Sequence, residues 1–361
     1  MKKTGITNLP LHYGKAPRWL FQRMIKLARE ISIIIIEEFG PIELLKRISD
    51  PFWFQSLGCI LGFDWHSSGV TTTVCGALKE GIKDIEKELG IFIAGGKGNA
   101  SRRTPEEIIR KSEAAAITNP EKLIYASKIV AKVDNSAIQD GFQLYQHNFI
   151  FTKESEWIVI QQGMNTDNRY ARRYHWMSFD LKNFINDPHK AICCDLRQNS
   201  ILNMVAKESK TARETSVLIS QEKPEKIIKE INSIQSLNMP KHHYVDINDI
   251  NTKRLYKILL KTYEEKPINF EKLLYIHGVG PKTIRALALI SELIYGNKPS
   301  FTDPVRFSFA HGGKDGHPYP VNRNVYDNSI MFLRNALKKM KIDNSEKNNA
   351  LKRLYKFYSE S

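Results

Sequence analysis

Apolar residues in the first third of the chain recur every three to four positions, which is the period of an amphipathic helix. Two of the helices that this pattern predicts begin at a proline, where the missing N–H group costs least. The predicted helices cover residues 17–39, 41–48, 52–61, 75–89 and 121–132. Thr104 and Glu107 have the spacing of a capping box, so another helix is predicted to begin there. An apolar run at residues 91–94 predicts one short buried strand.

Apolar and polar residues alternate in the middle of the chain, which is the period of a strand. This alternation predicts a β-hairpin with strands at residues 142–151 and 157–162, joined by a turn at residues 152–156. The remaining predictions are a helix at residues 179–184, a strand at 191–195, polar helices within 196–248, a helical region at 252–296 and a basic helix at 328–359.

Together these elements predict an α+β fold that is predominantly helical. The length of 361 residues suits two or three domains. We expect a mixed α/β domain at residues 1–195, which contains the small sheet and would be catalytic. A polar helical connector at residues 196–250 and a helical domain at residues 251–361 would follow it.

A helix-hairpin-helix motif is predicted at residues 273–296, where an apolar helix leads into two glycines and Pro281 opens a second helix. The glycines permit a tight turn and leave room for an approaching phosphate. The N–H groups and the dipole at the start of the second helix attract that phosphate, Lys282 adds a charge and Thr283 a hydroxyl. The motif resembles a family of DNA-binding hairpins, although an ordinary helical turn is the plain alternative. The predicted DNA-binding residues are Gly278, Val279, Gly280, Lys282 and Thr283.

The overall charge agrees with a polyanionic partner, because the formal net charge is +15 and the isoelectric point is near 9.5. The four cysteines form no C-x-x-C pair, so a zinc ribbon is not expected and the thiols should be reduced. No apolar run approaches the roughly 20 residues that a membrane span needs. The N-terminus has no apolar core of a signal peptide. We therefore expect a soluble, cytoplasmic protein without membrane contact.

Several phrases spread over nearly the whole chain resemble one family, domain of unknown function family 763 of archaea and bacteria. They are residues 9–14, 49–55, 62–73, 139–145, 161–164, 171–176 and 308–316. The resemblance implies a self-contained DNA-handling protein and leaves its chemistry open.

Carboxylates that hold divalent ions are the usual means of hydrolysing a phosphodiester. Asp64 follows an apolar run and precedes His66, an arrangement that faintly resembles the first motif of RNase H-like nucleases. Asp134 and Asp140 lie just before the predicted β-hairpin. Each aspartate would serve equally well as a helix cap or turn residue. The candidate catalytic residues are Asp64, His66, Asp134, Asp140, His147 and Gln162, and the three aspartates would bind Mn²⁺ or Mg²⁺.

A substrate groove would cross the β-hairpin if four of its side chains shared one face of the sheet. These are Tyr145, His147, Trp157 and Gln162. Each could equally be an ordinary strand residue.

Two basic clusters are candidates for further contact with nucleic acid. In the first, arginines alternate with aromatic residues, and such sequences can bind phosphates and stack on unpaired bases. In the second, Gly95–Gly98 could cradle a phosphate with backbone N–H groups, and a flexible basic loop is its plain alternative. The cationic residues involved are Arg169, Arg172 and Arg173 in the first cluster, and Lys97, Arg102 and Arg103 in the second.

These residues favour a metal-dependent DNA nuclease of repair or recombination, acting on single-stranded, branched or duplex DNA. A helix-hairpin-helix DNA glycosylase with lyase activity is an alternative, in which Lys282 would form a Schiff base and Asp303 would assist. A non-enzymatic DNA-binding or scaffold protein is the other alternative. The sequence leaves RNA open as a substrate, and it leaves the choice between a monomer and a homodimer open as well.

Overall fold

The computed structural model describes residues 16–63, 68–167, 170–194, 197–198, 200–234, 252–305, 331, 333, 335–340 and 343–360. In chain order its helices are α1 (Arg18–Phe39), α2 (Pro41–Ser49), α3 (Pro51–Leu61), α4 (Gly69–Ile82), α5 (Glu86–Leu89), α6 (Asn99–Arg102), α7 (Thr104–Ala114), α8 (Pro120–Lys132), α9 (Lys210–Ser220), α10 (Pro224–Ile234), α11 (Thr252–Glu265), α12 (Phe270–Tyr275), α13 (Pro281–Leu293) and α14 (Asn344–Glu360). A single π-helical turn, Val133–Ala137, follows α8 directly.

The strands form one antiparallel sheet in the order β1-β3-β4-β5-β6 and a separate pair of short strands, β2 and β7. Their bounds are β1 (Ile91–Lys97), β2 (Ile138–Gln139), β3 (Gln143–Thr152), β4 (Trp157–Asn165), β5 (Tyr170–Met177), β6 (Ala191–Cys193) and β7 (Leu202–Asn203). Each strand of the larger sheet is mostly buried.

Helices cover both faces of the larger sheet, because apolar residues point to both sides of its strands. On the first face, Phe149 and Val159 join a core with residues of α8, α9, α12 and α13, and we call this side the α8 face. On the opposite face, Ile150 and Ile160 join a core with residues of α1 to α4, and we call this side the α4 face. The result is a sheet between two helical layers, an arrangement that buries apolar side chains on both sides.

The core on the α8 face extends from Phe92 to Val305 along the chain. Residues 252–305 of the expected third domain therefore pack in the same core as the sheet. Helix α9, which lies in the expected polar connector, contributes Ala212, Val217 and Ile219 to that core. The connector is thus more deeply packed than its polar sequence suggests.

The predicted fold class is confirmed, since the chain is mostly helical with a small antiparallel sheet. The predicted β-hairpin is present as β3 and β4. The prediction of a helix at residues 179–184 is wrong, because that stretch forms turns and irregular chain. Strand β5 was not predicted, and β1 continues three residues beyond the predicted end at Ala94.

The predicted capping box at Thr104 and Glu107 does not form. The Thr104 hydroxyl donates to the Ser101 carbonyl oxygen at 2.7 Å, and no side chain caps α7. The Glu107 carboxylate instead accepts from the Gly95 N–H group and from the Lys79 ammonium group. This side chain therefore ties α7 to β1 and α4.

Candidate nucleic-acid interface

The segment predicted to be a helix-hairpin-helix folds as α12, a turn at residues 276–280 and α13. Gly278 has φ of +97°, in the left-handed region that favours glycine, and it is exposed. Val279 is buried in the core, and its N–H donates to the Ile276 carbonyl oxygen at 3.2 Å. The buried Val279 side chain anchors the turn in the core, while Gly278 stays at the surface.

The start of α13 has the features that attract an anion. Its N-cap, Gly280, offers no side-chain hydrogen bond, and its first turn has no acidic residue. Pro281 and Lys282 are exposed at this end of the helix. Thr283 is buried, so the predicted role for its hydroxyl at the surface does not fit its position. The helix dipole and the basic side chain therefore act together at the surface.

The hairpin is held against the rest of the fold through its carbonyl oxygens. The Lys132 ammonium group, at the end of α8, donates to the carbonyl oxygens of Val279 and Ile276. The Gln139 amide donates to the Pro281 carbonyl oxygen at 2.8 Å and accepts from Arg285 Nε at 2.6 Å. The hairpin is thus fixed to the end of α8 and to β2, while Gly278 in its turn stays exposed.

The second predicted basic cluster is exposed, but its glycines do not form a phosphate cradle. Lys97, Arg102 and Arg103 are exposed at the end of β1 and along α6. Residues 95–97 belong to β1 and pair with β3, and the Gly98 N–H donates to the Tyr145 carbonyl oxygen at 2.8 Å. The Gly95 N–H donates to Glu107 Oε2, so neither it nor the Gly98 N–H is available to a phosphate, and the predicted backbone cradle is not supported. The feature exposed at this end of β1 is therefore its three positive side chains.

The first predicted basic cluster is largely in the interior. Arg172 and Arg173 of β5 are both 0% exposed, so the expected surface contact with nucleic acid is corrected for these two residues. Arg169 lies outside the described residues. Adjacent residues of a strand point to opposite faces, and the two guanidinium groups accordingly enter different cores.

Arg172 bridges two buried carboxylates on the α8 face. Its NH1 donates to Asp140 Oδ2 at 2.9 Å and its NH2 to Asp303 Oδ2 at 2.8 Å. Burial acts to lower the pKa of Arg172, but Asp140 and Asp303 outweigh it, so the pKa is raised above its ordinary value. Burial raises the pKa of Asp140, although Arg172 and the Tyr174 hydroxyl oppose that effect. Asp140 is therefore part of a cross-link between β5 and the segment at residue 303.

Asp134 belongs to a second buried network on the same face. Its carboxylate accepts from the Gln161 amide, from Trp176 Nε1 at 2.9 Å and from His189 Nε2 at 2.5 Å. The Gln161 carbonyl oxygen accepts from His147 Nδ1 at 2.7 Å. The predicted residues Asp134 and His147 are thus brought together through Gln161.

Burial favours the neutral form of His147, and its hydrogen bonds set which ring nitrogen carries the proton. Its Nδ1–H donates to Gln161, so Nε2 is left to accept from the Ser127 hydroxyl at 2.9 Å. Burial lowers the pKa of His147, and the Gln161 contact only partly offsets it. Sequence reasoning did not include Ser127 or His189, because nothing in the spacing of either residue distinguishes it from core or loop.

Gln162 lies on the α4 face, away from His147. Its amide donates to the Ser68 carbonyl oxygen at 2.9 Å and to the Tyr145 hydroxyl, and its carbonyl oxygen accepts from Thr71. Tyr145 is therefore bound to Gln162, whereas His147 and Trp157 belong to the α8 face. The predicted groove lined by all four residues on one face is wrong.

Arg173 and His175 extend the polar row on the α4 face. Arg173 NH1 donates to Gln55 Oε1 at 3.1 Å and to Thr71 Oγ1 at 3.3 Å, and Nε donates to His175 Nε2 at 2.9 Å. Burial lowers the pKa of Arg173 to about 10 and that of His175 well below its usual value. Across the strands, Gln146, Gln162, Arg173 and Cys193 are register partners.

Within the described part of the chain, no three His, Cys, Asp or Glu side chains gather as they would around a metal ion. Asp134 and Asp140 each accept several hydrogen bonds from protein donors. Asp64 and His66, the other predicted members of the site, lie outside the described residues. The nearest described residues on either side of them are Phe63 and Ser68, and the Ser68 carbonyl oxygen accepts from the Gln162 amide.

The chain belongs to the family described as "Protein of unknown function (DUF763)", whose profile matches residues 5–321. The family identified from the sequence phrases is thereby confirmed. Comparisons with curated proteins and with solved structures gave no match. Among the helices that the structure describes, none is both long and apolar enough to cross a bilayer.

Proposed function

We propose that this protein is a DNA nuclease that holds the DNA backbone at the hairpin of residues 276–283 and cuts with the help of Mn²⁺ or Mg²⁺. The observation that carries the DNA-binding part is the exposed, uncapped start of α13 beside Gly278 and Lys282. A phosphate there would meet N–H groups, the positive end of a helix dipole and an ammonium group. The cytoplasm is the compartment that we assign to such a protein.

Duplex binding at the hairpin is tested with a labelled blunt duplex and fluorescence anisotropy over a range of salt concentrations. Replacing Lys282 by Gln removes one phosphate contact, so we expect weaker binding and a salt slope shallower by about 0.9. The matched control is Lys153→Gln. Lys153 is exposed in the turn that follows β3, whereas Gln139, which binds the hairpin, precedes the first residue of that strand. Equal affinities and slopes for the two variants and the wild type would refute binding at the hairpin.

Cleavage is proposed to depend on the segment that contains Asp64 and His66. Its neighbour Ser68 contacts Gln162, which in turn contacts Tyr145 at the end of the sheet where Lys97 lies. Asp134 and Asp140 also remain candidates, but their buried hydrogen bonds give them a clear structural role. Asp64→Asn is therefore the first substitution with which to test the proposed cleavage.

The nuclease assay uses labelled single-stranded, duplex, flap and four-way DNA with EDTA, Mg²⁺ or Mn²⁺. We expect cleavage that needs the metal and is lost in Asp64→Asn while DNA affinity is retained. Binding without cleavage in either metal would overturn the nuclease and leave a DNA-binding scaffold. The glycosylase alternative has less support, because Asp303 already accepts from Arg172, from Gln198 N at 2.8 Å and from Val305 N at 3.0 Å.

A further inference from the structure

Four strand ends meet at one end of the larger sheet. Because the strands are antiparallel and in register, β1 and β4 finish there while β3 and β5 begin there. The residues that mark this end are Lys97, Gln143, Asn165 and Tyr170. Three interstrand spacings of about 4.8 Å give this end a width of about 14 Å from β1 to β5.

The helix-hairpin-helix lies at the same end of the sheet. Gln139, which binds the Pro281 carbonyl oxygen and Arg285, stands only four residues before Gln143. Gly141, between them, is exposed, and a Cβ atom built on it would lie 3.0 Å from Asn165 at the end of β4. The surface therefore continues from the hairpin to the sheet end through residues 139–143.

Cations flank this surface on two sides. Lys97, Arg102 and Arg103 are exposed at the β1 side, and Lys282 is exposed at the hairpin side. Asp167, in the turn between β4 and β5, is an exposed acidic residue at the same end. Among the residues that the structure describes at this end, these positive groups lie at the two borders of the surface.

The middle of this surface carries aromatic and amide groups. Tyr145 and Tyr170 are half-buried, and Gln143 is exposed. The Tyr145 hydroxyl is bound to the Gln162 amide, and the Lys97 ammonium group lies 5.7 Å from the centre of the Tyr145 ring. Tyr145 is thus an anchored ring with a cation beside it, which is the combination that binds unpaired bases by stacking and their phosphates by charge.

We propose that an unpaired DNA strand leaves a duplex held at the hairpin and crosses this end of the sheet, over Tyr145, to the corner formed by Lys97, Arg102 and Arg103. This inference rests on the proposed binding of duplex DNA at the hairpin, and it names the substrate as a junction between duplex and single strand. An aromatic ring between two basic borders suits a single strand, because its unstacked bases can stack on the ring while its phosphates meet the cations.

The test compares a blunt duplex with the same duplex carrying a ten-nucleotide thymidine overhang on either the 3′ or the 5′ strand. We expect the wild type to bind one overhang probe at least tenfold more tightly than the blunt duplex, since one stacked base alone contributes about that factor. Tyr145→Ala should remove most of this advantage, and so should the triple substitution Lys97→Gln, Arg102→Gln and Arg103→Gln. Affinity for the blunt duplex should change less than twofold in both.

Two controls make the result specific. Tyr145→Phe keeps the ring and loses the hydroxyl contact with Gln162, so it should retain the advantage, as should Lys153→Gln at the opposite sheet end. Thermal unfolding checks that each variant is folded. No overhang advantage in the wild type, or an equal loss in Tyr145→Ala and Tyr145→Phe, would overturn the proposal.

The failure of this inference can be told apart from failure of DNA binding itself. If Lys282→Gln weakens blunt-duplex binding while the sheet-end variants keep the overhang advantage, only the single-strand path is wrong. If the wild type binds none of the probes, the proposed function fails with it.

Discussion

Arg172→Met tests how much the buried ion pairs of Arg172 with Asp140 and Asp303 contribute to stability. The side chains of Arg172, Asp140 and Asp303 are each exposed by no more than 1%, and the guanidinium group binds one oxygen from each carboxylate. Methionine has similar length and no charge, so it leaves two buried carboxylates without their shared cation. The guanidinium group also lies 4.6 Å from the centre of the Phe142 ring, which methionine can still contact.

The magnitude follows from the two ion pairs. Each hydrogen bond between charged groups contributes about 1.5–3 kcal/mol, and removing one partner from a buried ion pair typically costs about 3–5 kcal/mol. We therefore expect the free energy of unfolding to fall by about 4 kcal/mol at pH 8. This loss should shrink in acid, because Arg172 is the cation that opposes the raised pKa of Asp140.

The sign of the pH dependence follows from which state binds the proton more tightly. Without Arg172, the pKa of Asp140 in the folded protein rises further above its unfolded value. Such a carboxyl group favours the folded state below the unfolded pKa, and that contribution is lost as the pH rises through the folded pKa. As the pH falls, the loss of unfolding free energy caused by Arg172→Met should therefore shrink. It should shrink by about 1.4 kcal/mol for each pH unit in which the folded variant binds one proton more than the folded wild type.

The assay is urea unfolding of wild type and variant at pH 5 and pH 8, followed by circular dichroism. Arg110→Met is the matched control, because Arg110 is exposed on α7, and its effect should stay within about 0.5 kcal/mol. A loss below about 1 kcal/mol for Arg172→Met at pH 8, or an identical loss at both pH values, would contradict the account of Arg172 as the shared cation.

Three further predictions concern the sheet and the hairpin. Gly95→Ala should destabilise the fold by more than about 2 kcal/mol, since φ is +90° and the added Cβ would lie 2.2 Å from the His147 carbonyl oxygen. Gly90→Ala should cost only about 1 kcal/mol in the same urea assay, because Gly90 lies in the left-handed helical region and its added Cβ would make only ordinary contacts with Lys153. Val279→Ala should cost about 2 kcal/mol by removing a buried side chain under the turn; a loss below 0.5 kcal/mol would be inconsistent with that packing. The lowered pKa of His147 means that the unfolded state gains its proton first, so stability should decline as the pH falls below about 6.5, and His147→Gln should weaken this decline in unfolding curves at pH 7.5 and 5.5.

Elements with a regular apolar pattern or an unbroken apolar run were predictable from the sequence, including the buried strands β1, β3 and β4, whereas strand β5 was not. Helix α1 was predicted nearly to the residue, because its polar and apolar positions keep a helical period. Strand β5 was missed because adjacent buried arginines, Arg172 and Arg173, give no alternation between apolar and polar residues. A strand covered on both faces does not show that alternation, and charged residues inside it conceal the burial as well.

In the candidate site, features that depend on neighbouring residues were predictable, and features that depend on distant residues were not. The hairpin was predictable because its glycines, proline and lysine act locally, through backbone geometry within a few residues. The networks around Asp134 and Asp140 depend on partners far along the chain, such as His189 and Asp303. Their charges looked like catalytic groups or surface contacts in the sequence, and only the packing of distant segments identifies the hydrogen bonds that they make.

The attachment of the hairpin has a mechanical consequence for the DNA binding that we propose. Lys132 and Gln139 bind carbonyl oxygens on both sides of the turn, and both side chains come from the chain that flanks the π-helical turn Val133–Ala137. If the hairpin binds DNA as proposed, tension on the DNA would pass through these contacts into α8 and β2 and would not bend the turn alone. In the proposed complex, the turn would then keep its orientation relative to α8 and β2, so the direction in which DNA approaches would be fixed before binding.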